Sequence, residues 1–251
     1  MNAEKLRVAV IGVGHLGEYH VQKYKAIPGV ELVGVVDVNR ARANEIGERY
    51  HVPSFFDHQD ILDRVDAVSL SVTTEMHFHV AKDILSRGIH MLIEKPITYD
   101  LHDADTLIDM AKKHDLVFQV GLVERFNPAI VQMESLLSKP VFIEAHRMNL
   151  FAKRGLDVDV VLDLMIHDLD IILHIVPSEV SEVHATGMAV ITDKTDIASV
   201  RLVFEDGTAA NLTASRVSGK MLRKIRVFQP GAYISADCGK RQVTVIGLDD
   251  E

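Results

Sequence analysis

The chain has 251 residues, enough for one large domain or two modest ones, each with its own core. Hydrophobic residues make up 47% and charged residues 25%, the balance of a globular rather than a disordered chain. A formal charge of −9 excludes a general nucleic-acid binder, because phosphate backbones need a basic surface. The single cysteine, Cys238, has no partner for an intramolecular disulfide. Met1 leads directly into a strand with no leader pattern, and no apolar run reaches the roughly 18 residues that span a bilayer. The expected compartment is therefore the cytoplasm, with no membrane partner.

In chain order, the first predicted element is an apolar strand, Leu6–Ile11. It runs straight into Gly12, Gly14 and Gly17 at G-x-G-x-x-G spacing. Gly12 allows a tight turn, Gly14 lets backbone approach a phosphate, and Gly17 lets the following helix pack closely on the sheet. The helix predicted over His15–Ile27 would present its first amides to the anion, so His15 and Leu16 join the candidate cofactor contacts. A second strand, Val30–Val36, ends in Asp37, twenty residues past Gly17, where a carboxylate would accept hydrogen bonds from an adenosine ribose. Its negative charge favours NAD over NADP, and Arg40 nearby leaves NADP as a second acceptable cofactor.

Further strands are predicted at Ala67–Val72, His90–Ile93 and Val117–Val120, with a short extra one at Pro53–Phe56. Helical patterns lie at Arg40–Tyr50, His77–Arg87 and Leu101–His114, and Gly88 fits a helix C-cap. Strands that are apolar throughout and separated by helices imply a parallel sheet covered on both faces. Polar residues collect where these strands stop: Asp37, then Ser71, Thr73 and Thr74, then Glu94 and Lys95. In an open parallel sheet these ends share one carboxyl edge, where ligands bind.

From about Phe126 the pattern changes. A helix is predicted over Asn127–Ser138, a strand over Val141–Met148 and a long helix over Val158–Val176. Six strands follow, at Glu182–Val190, Ala198–Phe204, Thr208–Ser215, Lys224–Phe228, Tyr233–Asp237 and Gln242–Ile246, with a hairpin turn at Asp206 and Gly207. The expected fold is α/β: a Rossmann doubly wound parallel sheet, then an α+β domain with a largely antiparallel open sheet. The boundary falls near Gly121–Asn127, giving a dinucleotide-binding domain over 1–123 and a substrate-binding and oligomerisation domain over 124–251. An antiparallel sheet with helices on one face leaves the other in need of cover, which predicts a homodimer or homotetramer through this sheet.

On the long helix, Asp163, His167, Asp170 and His174 are spaced by four, three and four, forming one polar stripe on an otherwise apolar surface. Three uses of such a stripe compete. One is a structural network of carboxylates and histidines. A second is a metal site, disfavoured because one straight helix cannot surround an ion and no HExxH or paired-cysteine element assists it; no metal is expected. The third, preferred, is an active-site wall, with Asp163 and His167 facing a nicotinamide that Lys95 approaches from the strand edge. Arg125, Arg147, Lys153 and Arg154 are candidate cations for a substrate diphosphate. Asn127 is a candidate sugar contact or the cap of the helix that follows it. His77 is placed near the cofactor, and His20 beneath the glycine turn.

These residues together resemble the glucose–fructose oxidoreductase/inositol dehydrogenase (Gfo/Idh/MocA) family. The resemblance is carried by Gly12, Gly14 and Gly17 with His20, by Asp37, and by Thr73, Thr74 and His77. It continues through Glu94, Lys95 and Pro96, Gly121 with Arg125, Phe126 and Pro128, and Asp163 with His167 and Asp168. It implies NAD(P)-dependent oxidation of a sugar or cyclitol hydroxyl, with Lys95 catalytic, His167 and Asp163 beside it, and Glu94 supporting Lys95 or the nicotinamide ribose. Either Lys95 or His167 would be the base, the other donating to the oxygen. The wording Val123–Pro128 and Asp163–His174 is similar to a bacterial subgroup acting on C3 of UDP-N-acetylglucosamine. Other readings are an inositol or simple-sugar dehydrogenase and a non-catalytic NAD-binding regulator, though the latter would lack Lys95 or His167. Family members usually continue for several tens of residues past the position of Glu251, so the sequence is expected to be either part of a longer chain or a variant whose second domain ends early.

Overall fold

In a computed structural model, which describes residues 5–152 and 158–247, strands and helices alternate through the first half of the chain. They are β1 (Leu6–Ile11), α1 (His15–Ala26), β2 (Val30–Val36), α2 (Arg40–Tyr50), β3 (Ser54–Phe55), β4 (Ala67–Leu70), α3 (Thr74–Ser86), β5 (His90–Ile93), α4 (Leu101–Lys113) and β6 (Phe118–Val120). All six strands are parallel, in the order β3-β2-β1-β4-β5-β6. The sheet is apolar on both faces because both are covered. Ala9, Ile11, Val68, Leu70, Met91 and Ile93 pack against Val80, Ile84 and Leu85 of α3 and Leu107 of α4. Val10 and Val35 point the other way, onto Val21 of α1 and Ile46 of α2. Each such buried Val, Leu, Ile or Met side chain contributes roughly 1.5–3 kcal/mol. The order of strand addition reverses between β1 and β4, where Ile11 pairs with Leu70, so the turn after β1 and Ser71 sit side by side at the carboxyl edge.

The second half holds a short 3₁₀ turn (Val123–Phe126), α5 (Pro128–Glu134), β7 (Phe142–Met148), a π-helical turn (Val161–Met165) continuing as α6 (Ile166–Ile175), and β8 to β13. The last six are Val180–Met188, Ile197–Phe204, Ala209–Ser215, Leu222–Gln229, Ala232–Asp237 and Gln242–Gly247. Their sheet runs β13-β12-β11-β7-β10-β9-β8 and is antiparallel throughout except for the parallel pair β7 and β10. One face packs Ile143, Leu202, Leu212, Ile225 and Ile234 against Ile130 and Met133 of α5 and Ile171 and Ile172 of α6. The other carries Phe142, Glu144, His146 and Met148, each partly exposed. The chain divides into two compact units, Met1–Gly121 and Leu122–Glu251.

Two helices differ from expectation. α3 begins at Thr74 rather than His77, placing His77 inside its first turn. α5 stops at Glu134 instead of reaching Ser138, because Leu136 and Leu137 turn back in single-turn hydrogen bonds ahead of Pro140.

Candidate cofactor and active-site residues

Each glycine of the first turn has a different physical role. Gly12 has φ +83°, and a Cβ there would lie 2.6 Å from the Ser71 carbonyl oxygen. A Cβ on Gly17 would lie 1.9 Å from the Gly12 carbonyl oxygen, so only glycine lets α1 leave the turn this closely. A Cβ on Gly14, by contrast, would meet nothing within 4 Å. The backbone at the start of α1 is therefore open, with His15 and Leu16 exposed beside it. Those amides at a helix N-terminus suit a pyrophosphate. Asp37 accepts from the Val13 amide at 3.0 Å and the Asn39 amide at 2.9 Å, tying the end of β2 to the glycine turn. Arg40 stacks over the Phe56 ring at 4.6 Å.

Arg42, which gave no signal in the sequence, braces the turn from α2: its Nε donates to the Val13 carbonyl at 2.8 Å. Its guanidinium also reaches Glu18, which Arg49 and Tyr50 contact as well. The hydrogen bond from Arg42, with those from Tyr50 and Arg49, outweighs burial and pulls the Glu18 carboxyl down to about 2.

At the next strand ends, Thr73 precedes α3 as its N-cap residue, without a side-chain capping bond. His77 is 1% exposed, and its ring bridges the Pro96 carbonyl at 2.9 Å and the Val72 carbonyl at 3.2 Å. It shapes the loop after β5, both of its ring nitrogens lying against backbone carbonyls. Glu94 is 8% exposed and meets His20 Nε2 at 3.0 Å, while His20 Nδ1 lies 2.5 Å from Ser69 Oγ. Lys95 is partly buried and joined to Pro96 by a cis peptide bond.

In the second unit the polar stripe divides. Asp170 pairs bidentately with Arg125, whose guanidinium also lies 3.2 Å from His174 Nδ1. That end of the stripe is a structural network. Arg147 is 2% exposed and donates to Asp168 at 2.7 Å and to Glu124 at 2.9 Å. Burial works against its charge, but the two carboxylates outweigh this and raise its pKa. Asn127 caps α5 by accepting from the Ala129 amide at 3.1 Å and donates to the Cys238 carbonyl at 3.1 Å. Asn127 takes the cap that was one of its two expected roles, and Arg125 and Arg147, expected as cations for a diphosphate, are engaged by carboxylates within the fold. Arg154, with Lys153, lies outside the described residues. Asp163 and His167 are both partly exposed, and Asp163 falls in the π-helical turn. Asp159 starts this helix by accepting from the Val161 and Leu162 amides. Among the described residues no group of three or more His, Cys, Asp or Glu could hold a metal ion, and no helix is long and apolar enough to cross a membrane.

A 3-2-1-4-5-6 parallel sheet with a glycine turn at its switch point defines a dinucleotide-binding Rossmann domain. Residues 6–122 match the oxidoreductase family with an NAD-binding Rossmann fold, and residues 130–230 match the GFO/IDH/MocA C-terminal domain. The chain belongs to the Gfo/Idh/MocA oxidoreductase family. It is 43% identical to UDP-N-acetylglucosamine 3-dehydrogenase of Acidithiobacillus ferrooxidans, over 92% of this chain and 74% of that protein. A solved structure of that enzyme has a TM-score of 0.92 at 42% identity, covering 98% of this chain and 82% of the other. Myo-inositol 2-dehydrogenase of Thermotoga maritima is 29% identical over 98% of this chain and 79% of its own length.

Proposed function

We propose that this protein is an NAD-dependent dehydrogenase that oxidises the C3 hydroxyl of UDP-N-acetylglucosamine. The 43% identity to an enzyme so named, across 92% of the chain, carries the reading. NAD, when bound, supplies the hydride acceptor. Gly12, Gly14, His15 and Leu16 would hold its pyrophosphate, and Asp37 its adenosine ribose, disfavouring a 2′-phosphate by charge. Ser71, Thr73 and Glu94 would line the same strand edge, and the first unit as a whole would serve the cofactor.

Lys95 and His167 would act on the substrate hydroxyl, one taking its proton and the other donating to its oxygen, with Asp163 fixing the imidazole tautomer. The presence of Lys95, Asp163 and His167 favours catalysis over a purely regulatory NAD-binding role. Replacing Lys95 with Ala should leave NAD affinity nearly intact and collapse turnover. Wild-type turnover in Lys95→Ala would remove Lys95 from the chemistry.

One observation favours a second reading, an inositol or simple-sugar dehydrogenase. Arg125 and Arg147, two of the cations expected to meet a diphosphate, are held by carboxylates. Uridine diphosphate separates the two readings. At 100 times its dissociation constant, a ligand of the folded state adds about 2.7 kcal/mol of stability. Thermal protection by this nucleotide supports the nucleotide-sugar reading, and its absence supports the simpler substrate. The second unit would also form a homodimer or homotetramer through its sheet.

A further inference from the structure

Ser69, His20 and Glu94 form a hydroxyl–imidazole–carboxylate chain drawn from β4, α1 and the end of β5. Its contacts, 2.5 Å and 3.0 Å, are those of a hydrolytic triad. Ser69, however, is fully buried at 0% exposure, so no substrate carbonyl can reach its hydroxyl. The chain serves its other end, the carboxylate. A single imidazole tautomer satisfies both contacts, with the Ser69 O–H donating to Nδ1 and Nε2–H donating to Glu94. Ser69 thereby keeps the ring proton on Nε2, where it faces the glutamate.

The far side of that carboxylate is equally constrained. A Cβ on Gly121 would lie 2.8 Å from Glu94 Oε1 and 3.1 Å from Oε2, so the carboxylate rests against bare backbone at the end of β6. The Glu94 amide donates to the Leu70 carbonyl at 2.9 Å, and the Gly121 amide to the Ile93 carbonyl at 2.8 Å, holding both strand ends in register. Glu94 precedes Lys95 in the chain, so the clamp on the glutamate side chain acts one residue from the lysine. His20 itself stands on the helix that begins at the glycine turn.

We propose that His20 is a positioning residue of the dehydrogenase site, clamping Glu94 against Gly121 and through it setting the place of Lys95. The proposal rests on the dehydrogenase reading above. Its test compares wild type, His20→Leu, His20→Gln and Ser69→Ala as full chains. Steady-state rates would be measured with NAD and UDP-N-acetylglucosamine, and NAD affinity by calorimetry.

His20→Leu should lower kcat about 10- to 100-fold, the scale of an ångström-sized misplacement. KM and the NAD dissociation constant should stay near wild type. His20→Gln should recover most of the rate, because its amide N–H can still donate to Glu94. Ser69→Ala should show a smaller loss in the same sense. A merely structural role would lower the melting temperature without splitting kcat from KM, and glutamine would not rescue it.

Wild-type kcat in His20→Leu, or equal impairment by leucine and glutamine, overturns the proposal. If His20→Leu does not fold, an unchanged kcat in Ser69→Ala overturns it instead. A wild-type chain that binds NAD yet oxidises no sugar or cyclitol overturns the dehydrogenase reading itself, and this proposal with it.

Discussion

A methyl group at position 14 would meet open space, whereas one at position 17 would strike the carbonyl of Gly12. The two glycines are therefore separable by experiment. Gly14→Ala should fold with an unchanged melting temperature and lose about tenfold or more in NAD affinity, about 1.4 kcal/mol by calorimetry. Gly17→Ala should instead destabilise the first unit, seen as a lower melting temperature without ligand. The open backbone at Gly14 and the close packing at Gly17 were legible because the glycine spacing and the strand before it are local signals. The partners of Arg125 and Arg147 were not legible. A cation in a loop or strand looks the same in sequence whether its counter-charge is a ligand or an aspartate far along the chain. Arg147→Leu distinguishes these. It leaves buried Asp168 and Glu124 without their cation and should cost about 3–5 kcal/mol in urea unfolding. A substrate-binding arginine would instead raise KM and leave stability alone.

At the scale of elements, the parallel strands were legible because they are apolar on both faces, and the long helix because its apolar residues recur at helical spacing. The π-helical turn at Val161–Met165 was not. It widens the helix by about one residue per turn without changing composition. Adjacent residues of the preceding 3₁₀ turn, Glu124 and Arg125, both lock onto this helix, through Arg147 with Asp168 and through Asp170. On the other sheet, α1 and α2 are joined by Glu18, whose pKa falls from 4.5 to about 2, with the Arg42 hydrogen bond the largest cause. The unfolded state therefore binds more protons between those values. The stabilisation is present in full above about 4.5 and is lost as pH falls through 2. Glu18→Gln should lower the melting temperature at neutral pH, each exposed pair being worth about 0.2–1 kcal/mol. The gap from wild type should close as pH falls from 4.5 toward 2.

At the scale of the molecule, the outward face of the second sheet bears an aromatic run. Phe142 and Phe228 have ring centroids 5.7 Å apart, and Phe228 and Tyr233 5.1 Å. The rings stand beside Glu144, His146 and Arg226, mixing apolar and charged groups as an interface does. If this face joins copies of the chain, Phe228→Lys should shift sedimentation toward the monomer at concentrations where wild type is assembled. Wild type sedimenting as a monomer throughout would sink the idea.

The parallel pairing of β7 has a kinetic consequence. β7 is the middle strand of its sheet, yet Phe142 must wait for Ala209 on one side and Phe228 on the other. No hairpin can seed this centre early, because both neighbours emerge from the ribosome long after it does. Closing such distant pairings before they yield any contact energy makes folding slow. While synthesis continues, Ile143 and Ala145 have no flanking strands and remain available to chaperones.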